Sequence, residues 1–295
     1  MRIIFDVVRD GLASINTASR QLGEAQRQLA TGKRILGAGD DPLAAQQAVG
    51  EHAALGAIDA YSRTNSSASA RLAAVDNILA SLGNKLTAAN VAASSARGTN
   101  VDPGARAAAA AEVRSLRDGI LADINSTFQG TYLFAGTAVN QPAYVQSGSA
   151  WSYQGNSSVV QVEVDRGRRV SISFDGRAIL QGSDTTDVLS SLDAVAAAIE
   201  AGDNAAIGTG IAAIERAFSR TQRAVGTLGA DERSLDEAGV RLSALRVAAN
   251  ARRSSLEDVN LAEAVSRMTQ AETAYNATLT AVSSAERQSL LDYLR

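Results

Sequence analysis

Proline is confined to one stretch of this chain. Pro42, Pro103 and Pro142 are the only three, so everything before Pro42 and everything after Pro142 lacks the residue that breaks helices. Both ends can therefore carry long uninterrupted helix. The apolar residues point the same way. They make up 45% of the chain, but alanine dominates them and aromatics are only 4%. Alanine has the highest helix propensity and buries little area per residue. Such a composition favours long, thin helices packed side by side over one thick core.

In the N-terminal segment, Val8, Leu12, Ile15, Ser19, Leu22, Gln26 and Leu29 follow one another in alternating steps of 4 and 3. That is a coiled-coil seam with Ser19 and Gln26 as polar interruptions. The helix is expected to end near Thr31-Gly32, where glycine can take the left-handed cap. Asp40-Asp41-Pro42 then reads as a new start, with an Asp cap and Pro at the first helical position. At the other end, Leu261, Val265, Met268, Glu272, Tyr275, Leu279 and Val282 repeat the same steps.

Between the ends, an Ala-rich helix is expected from Leu43 to about Arg97, with Leu72, Val75, Leu79, Leu82 and Leu86 on one face. A second runs from about Ala105 to Thr127, with Val113, Leu116, Ile120, Leu121 and Ile124 as its stripe. The texture changes after Phe128. Val160, Val162 and Val164 alternate with polar residues, as do Val170, Ile172 and Phe174, and Asp165-Arg166-Gly167 separates the two runs. Period two with turn residues between predicts a small antiparallel β-subdomain leaning on the helices. Helix returns at Asp184 with Val188, Leu189, Leu192, Val195 and Ile199, stops at Gly202, and restarts at Asn204 with Ile207, Ile211, Ile214 and Phe218. Gly226 and Gly229 weaken the pattern, but little stands against one very long helix from Asp231 to about Leu291.

The predicted fold is mainly α: a long antiparallel helical rod with coiled-coil termini and a small central antiparallel β-subdomain. Its segments are an N-terminal assembly segment (1–42), the first part of the rod (43–135), the β-rich outer subdomain (136–182), the second part of the rod (183–254) and a C-terminal assembly segment (255–295). The ends cannot stand alone. A seam of a few large side chains, each contributing roughly 1.5–3 kcal/mol when buried, faces a backbone ordering cost of roughly 1–2 kcal/mol per residue. Isolated helices are marginal in water, so the ends are expected to order fully only among neighbouring copies. The same stripes also suit packing within a single bundle.

Chemistry is sparse. With no cysteine there is no disulfide, thiolate site or cysteine nucleophile, and His52 is the single histidine. It reads as a helix-surface residue, and Asp40-Asp41 as a cap rather than a cation site. Gly32-Lys33 lacks the upstream glycine of a phosphate loop, and no Gly-x-Ser-x-Gly occurs. No catalytic, cofactor or metal site is expected, and the chain reads as no enzyme. Basic and acidic residues, 28 and 31 in number, are interspersed, which speaks against nucleic acid. No apolar run reaches the roughly 18 residues of a membrane helix. The opening run is too short and charged for a cleavable signal, so export would need another route. Asn125-Ser126-Thr127 and Asn156-Ser157-Ser158 fit a common glycosylation pattern. The aromatics at 128–174 suit a miniature core or, less simply, a sugar platform.

Four motifs in order carry a resemblance. They are Met1-Arg2-Ile3; Thr31-Gly32-Lys33-Arg34-Ile35 followed by Asp40-Asp41-Pro42; Gly130-Thr131-Tyr132-Leu133-Phe134-Ala135-Gly136; and Asp258 through Ala262-Glu263-Ala264, Gln270, Tyr275 and Leu279 to Ser289-Leu290-Leu291-Asp292-Tyr293-Leu294. Over essentially its whole length the chain resembles the flagellar hook-associated protein 3 group of flagellin relatives. Where that group has Ser-Pro-Ser before Asp-Asp-Pro, this chain has Gly37-Ala38-Gly39. The resemblance implies a structural component of the bacterial flagellum, outside the cell, exported unfolded through the flagellar type III apparatus. It would form the junction layer between hook-associated protein 1 and flagellin, associating with itself in a helical layer and bound by an export chaperone. A flagellin-type filament subunit is the alternative. The expected interface comprises Val8, Leu12, Ile15, Leu22, Leu29, Leu261, Val265, Met268, Tyr275, Leu279 and Val282 of the seams, with Leu290 and Leu291 of the closing motif.

Overall fold

The structure, a computed structural model, describes residues 2–148 and 150–293, with side chains described for residues 9–148 and 150–284. Seven helices and six short strands follow in the order α1 (Arg2–Thr31), α2 (Pro42–Ser95), α3 (Pro103–Ile124), β1 (Thr127–Phe128), β2 (Thr131–Tyr132), β3 (Tyr144–Ser147), β4 (Ala150–Tyr153), β5 (Gln161–Asp165), β6 (Arg168–Ser171), α4 (Gly176–Leu180), α5 (Val188–Ala201), α6 (Asn204–Glu257) and α7 (Leu261–Tyr293). The mainly helical class with small antiparallel sheets holds. The chain divides into two compact units. One comprises residues 59–243, the other residues 1–58 with 244–295.

Local chemistry sets the helix boundaries. Gly32, at φ 67°, closes α1 in the left-handed region. The Asp41 carboxylate accepts from the Ala44 N–H at 3.0 Å and opens α2. Asp102 caps α3 through the N–H groups of Gly104 and Ala105, with Pro103 at the first helical position. Helix α5 begins at Val188, four residues after the predicted Asp184, capped by Asp187, and ends at left-handed Gly202.

The unit of residues 59–243 holds the large apolar side chains. Leu72, Val75, Leu79, Leu82 and Leu86 of α2 are buried, as are Val113, Ile120 and Ile124 of α3, Leu189, Leu192, Val195 and Ile199 of α5, and Ile207 and Ile214 of α6. Leu116, Leu121, Ile211 and Phe218 pack half-buried on this core. Asn65, buried in α2, donates to the Leu235 carbonyl of α6 at 2.9 Å.

The antiparallel β region consists of three separate two-stranded hairpins, β1–β2, β3–β4 and β5–β6. Strands this short cannot pair widely, so each hairpin docks by its side chains. Trp151 donates from its indole N–H to Asp193 of α5 at 2.9 Å, while Arg117 of α3 pairs with Asp193 and stacks over the Trp151 ring. Leu133 and Phe134 are fully buried where helix gives way to hairpins, and the Phe134 carbonyl accepts from Gly176 N–H at 2.8 Å. The aromatics form a small core: Tyr144 lies 5.2 Å from Tyr153 and Phe134 6.3 Å from Phe174, centroid to centroid.

One expectation changes, in the long C-terminal helix. It breaks at Asp258–Asn260, where Asn260 caps α7 by accepting from Ala262 N–H at 3.1 Å and Val259 donates to the Gly32 carbonyl at 3.0 Å. Gly226 and Gly229 lie inside α6 without interrupting it. A glycine matters elsewhere: a Cβ on Gly210 of α6 would collide with the Val195 side chain of α5. Gly210→Ala should therefore destabilise the chain by about 1–3 kcal/mol in urea unfolding. Gly226→Ala, with open space around it, should gain about 0.5–1 kcal/mol through helix propensity.

Candidate assembly interface

The unit of residues 1–58 and 244–295 is built on an antiparallel pair. Helix α1 packs along α7. Gly11 sits against Val282, residues Gln21 to Gln28 face Arg267 to Ala274, and Gly32 meets Val259. Along α1 the inward line is Gly11, Ile15, Ala18, Leu22, Ala25 and Leu29; along α7 it is Ala264, Met268, Ala271, Tyr275, Thr278 and Val282. Both lines keep the 4-and-3 steps of the predicted seams, rotated toward small residues. Gly11 permits the approach, because a Cβ there would lie 3.0 Å from Val282 Cγ2.

Rotation of the seam sorts the predicted interface residues. Ile15, Leu22, Leu29, Met268, Tyr275 and Val282 come together along the pair, each half-buried. Leu12, Leu261, Val265 and Leu279 do not. They are 54%, 60%, 50% and 38% exposed on the flanks. Ser19, Gln26 and Glu272, read as polar interruptions of the seam, face solvent. The side chains of Val8, Leu290 and Leu291 lie outside the described residues.

Among the described residues, what is fully buried in this unit is small: its buried apolar residues are Ala18, Ala25, Ala44, Ala48, Ala249, Ala264 and Ile58. By contrast, nine of the twelve exposed large apolar side chains among the described residues belong to it, including Leu36, Leu43, Val49, Leu245 and Val247. A chain that places alanine inside and leucine outside has left its main hydrophobic stabilisation unused.

A polar joint closes the inner end of the pair. The Arg34 N–H donates to the Glu257 carbonyl at 2.6 Å, alongside the Val259–Gly32 bond. Lys33 Nζ lies 2.9 Å from Glu257 Oε2 and 2.8 Å from Asp258 Oδ1. His52 Nε2 is 2.7 Å from Glu257 Oε1, so the histidine read as plain surface has a partner. The Arg34 guanidinium donates to the Leu256 carbonyl and pairs with Asp41. Hydrogen bonds to Asp258 and then Glu257 hold the Lys33 pKa above its ordinary value, and Lys33 holds both carboxyls below theirs. Sequence reasoning missed this cluster, whose members lie more than 200 residues apart. Its sequence signs were the Thr-Gly-Lys-Arg-Ile and Asp-Asp-Pro motifs and Asp258 at the start of the closing motif, none of which shows the pairing.

The two glycosylation patterns are engaged in the fold. Asn125 exchanges hydrogen bonds with the Tyr144 backbone, and Asn156 clamps Thr137.

The N-terminal helical region of bacterial flagellin matches residues 10–139, and its C-terminal helical region matches residues 211–294. Flagellar hook-associated protein 3 of Salmonella typhimurium is 26% identical over 179 residues, covering 60% of this chain and 55% of that protein. The protein of the same name from Escherichia coli is 28% identical over 153 residues, 52% of this chain and 48% of its own length. This chain thus spans about half the length of each of these two relatives. A flagellar hook-associated protein from Vibrio parahaemolyticus shares the fold at a TM-score of 0.71 and 22% identity, covering 74% of this chain and all of that one. So does the flagellar junction protein of Legionella pneumophila, at 0.62 and 12%, covering 72% of this chain and all of that one.

The ion pairs give the joint a pH signature. Carboxyls with depressed pKa values lend stability that is present above their ordinary range and lost as pH falls through the folded values. Hydrogen-exchange protection of the Arg34 and Val259 amides should hold from neutral pH down to about pH 5 and collapse below about pH 4. Lys33→Met should lower that protection about two- to fivefold at neutral pH, the scale of an exposed ion pair.

Proposed function

Because the chain belongs to the bacterial flagellin family through both of that family's helical regions, we propose that it is a structural subunit of the flagellum, placed at the junction between hook and filament. The observation that carries this reading is the inverted apolar distribution of the terminal unit, alanine within and leucine and valine without. The hook-associated names of the two relatives favour the junction over the filament body.

The mechanism is mechanical. The α1–α7 pair presents Leu12, Leu261, Val265 and Leu279 to neighbouring subunits, and each side chain fully covered adds roughly 1.5–3 kcal/mol. Assembly, rather than folding, collects that energy. The segments 1–42 and 255–295 act as the assembly parts. The neighbours are hook-associated protein 1 on one side, flagellin on the other and further copies of this chain within the layer. In this reading the subunit reaches its place unfolded through the flagellar export apparatus, its C-terminal region held by an export chaperone. A flagellin-type filament subunit is the second reading, favoured by the match to flagellin's own helical regions.

Replacing Leu12, Leu261, Val265 and Leu279 together by serine should leave the stability of the lone chain within about 0.5 kcal/mol per site, since all four are exposed. Cells carrying only that variant should shed their filaments, counted by electron microscopy. Attached filaments in normal number would overturn the proposal. Seeding separates the two readings: unlimited growth of purified chain on filament seeds would make it a filament subunit, whereas a junction subunit stops at a short layer.

A further inference from the structure

One arginine in the unit of residues 59–243 carries a charge that no neighbour balances. Arg71 of α2 is only 9% exposed. Its guanidinium donates to the Ile172 carbonyl at 2.6 Å, the Thr131 hydroxyl at 2.7 Å and the Tyr132 carbonyl at 3.4 Å. All three acceptors are neutral, and a guanidinium has further N–H donors to offer. Among the described residues no carboxylate stands within ion-pair distance of it. Burial alone acts on its pKa, pushing it down. Taking a cation out of water without a counter-charge is unfavourable, whereas neutral acceptors would serve equally well for a neutral donor.

Arg71 lines a cleft of about 360 Å³ between α2 and the hairpins. Arg63, Ser67 and Arg71 stand four residues apart along α2, which puts them on one stripe of the helix. Arg63 is exposed at the rim, and neither it nor the Ser67 hydroxyl has a hydrogen bond or ion pair among the described residues. The opposite wall is apolar: Phe128, Val162 and Ile172, each half-buried. The volume lies near the lower end for small-ligand sites. Arg63 and Ser67 line the cleft on the α2 side, Arg71 reaches the hairpin backbone at Ile172 and Tyr132, and Phe128, Val162 and Ile172 supply the apolar lining.

We propose that this cleft binds a carboxylate carried on a short aliphatic body, the carboxylate bridging Arg63 and Arg71 and the body covering Phe128, Val162 and Ile172. Paired guanidiniums suit a carboxylate because their planar N–H forks match its two oxygens. A glutamate side chain from an adjoining protein and a free small carboxylate share this chemistry. The site does not depend on where the chain sits in the flagellum.

Arg71 also ties the hairpins to α2, so replacing it would disturb the fold as well as the cleft. Arg63→Gln removes a guanidinium that holds nothing else, and it carries the test. The full chain is titrated with isovalerate, with N-acetylglutamate N-methylamide and with isovaleramide, followed by NMR shifts of the Ser67 and Val162 amides. At least one of the two carboxylates should bind saturably. The neutral isovaleramide should bind at least tenfold more weakly, and Arg63→Gln should weaken the carboxylate at least fivefold. Tighter binding of the glutamate derivative would identify an adjoining protein's side chain as the occupant, and tighter binding of isovalerate a free carboxylate. Acid and amide binding alike, an Arg63→Gln protein binding as tightly as the parent, or no saturable binding of either carboxylate would each overturn the proposal.

Discussion

The close approach of α1 and α7 governs the rest of the terminal unit. Two helices that meet along glycine and alanine can run with their backbones near each other, and Gly11 against Val282 shows how little room is left. That proximity has a price: a seam of Ala18, Ala25 and Ala264 buries little apolar area. Ile15, Leu22, Leu29, Met268, Tyr275 and Val282 are only half covered by the seam, and Leu12, Leu261, Val265 and Leu279 are displaced to its flanks. Close packing within the chain and stickiness between chains are two results of one rotation of the heptad.

The two units divide the labour of folding and association. Residues 59–243 bury Leu72, Leu79, Leu82, Ile120, Leu189 and Ile199 completely or nearly so, a core of the kind that sustains a domain alone. The terminal unit relies on polar fastening instead. The bridge between Gly32–Arg34 and Glu257–Val259 places the break after α1 beside the break before α7, and Lys33 spans two carboxylates across it. The ion pairs there are partly exposed, so each contributes modestly. Their value lies in fixing the register at which the two ends begin to run together.

Much of this was legible in the residues. The Asp41 cap, the Gly32 and Gly202 stops and the Leu72 to Leu86 stripe all depend on neighbours within a turn or two, which sequence patterns report. The pairing of the two ends followed from matching 4-and-3 steps. The rotation of the seam was not legible, because a search for large apolar residues passes over Gly11, Ala18 and Ala25. The break at Asp258–Asn260 had one local sign, the Asn260 cap, which was passed over; the bond from Val259 to Gly32 at the far end of the chain had none. How the β-subdomain divides into three hairpins was not legible, because period two says which residues alternate, not which strands meet. Of the predicted interface, six side chains lie half-buried along the α1–α7 pair and four stand exposed on its flanks.

The joining of first helix to last has a temporal side. A polypeptide is made from its N-terminus, so α1 exists long before α7, and everything between them must be built first. Contacts spanning nearly the full chain carry the largest loop-closure cost and form late. The buried unit of residues 59–243 can close on itself meanwhile and bring the two ends within reach. Until then the apolar face of α1 lacks the partner that α7 supplies: the earlier member of the pair waits for the later one.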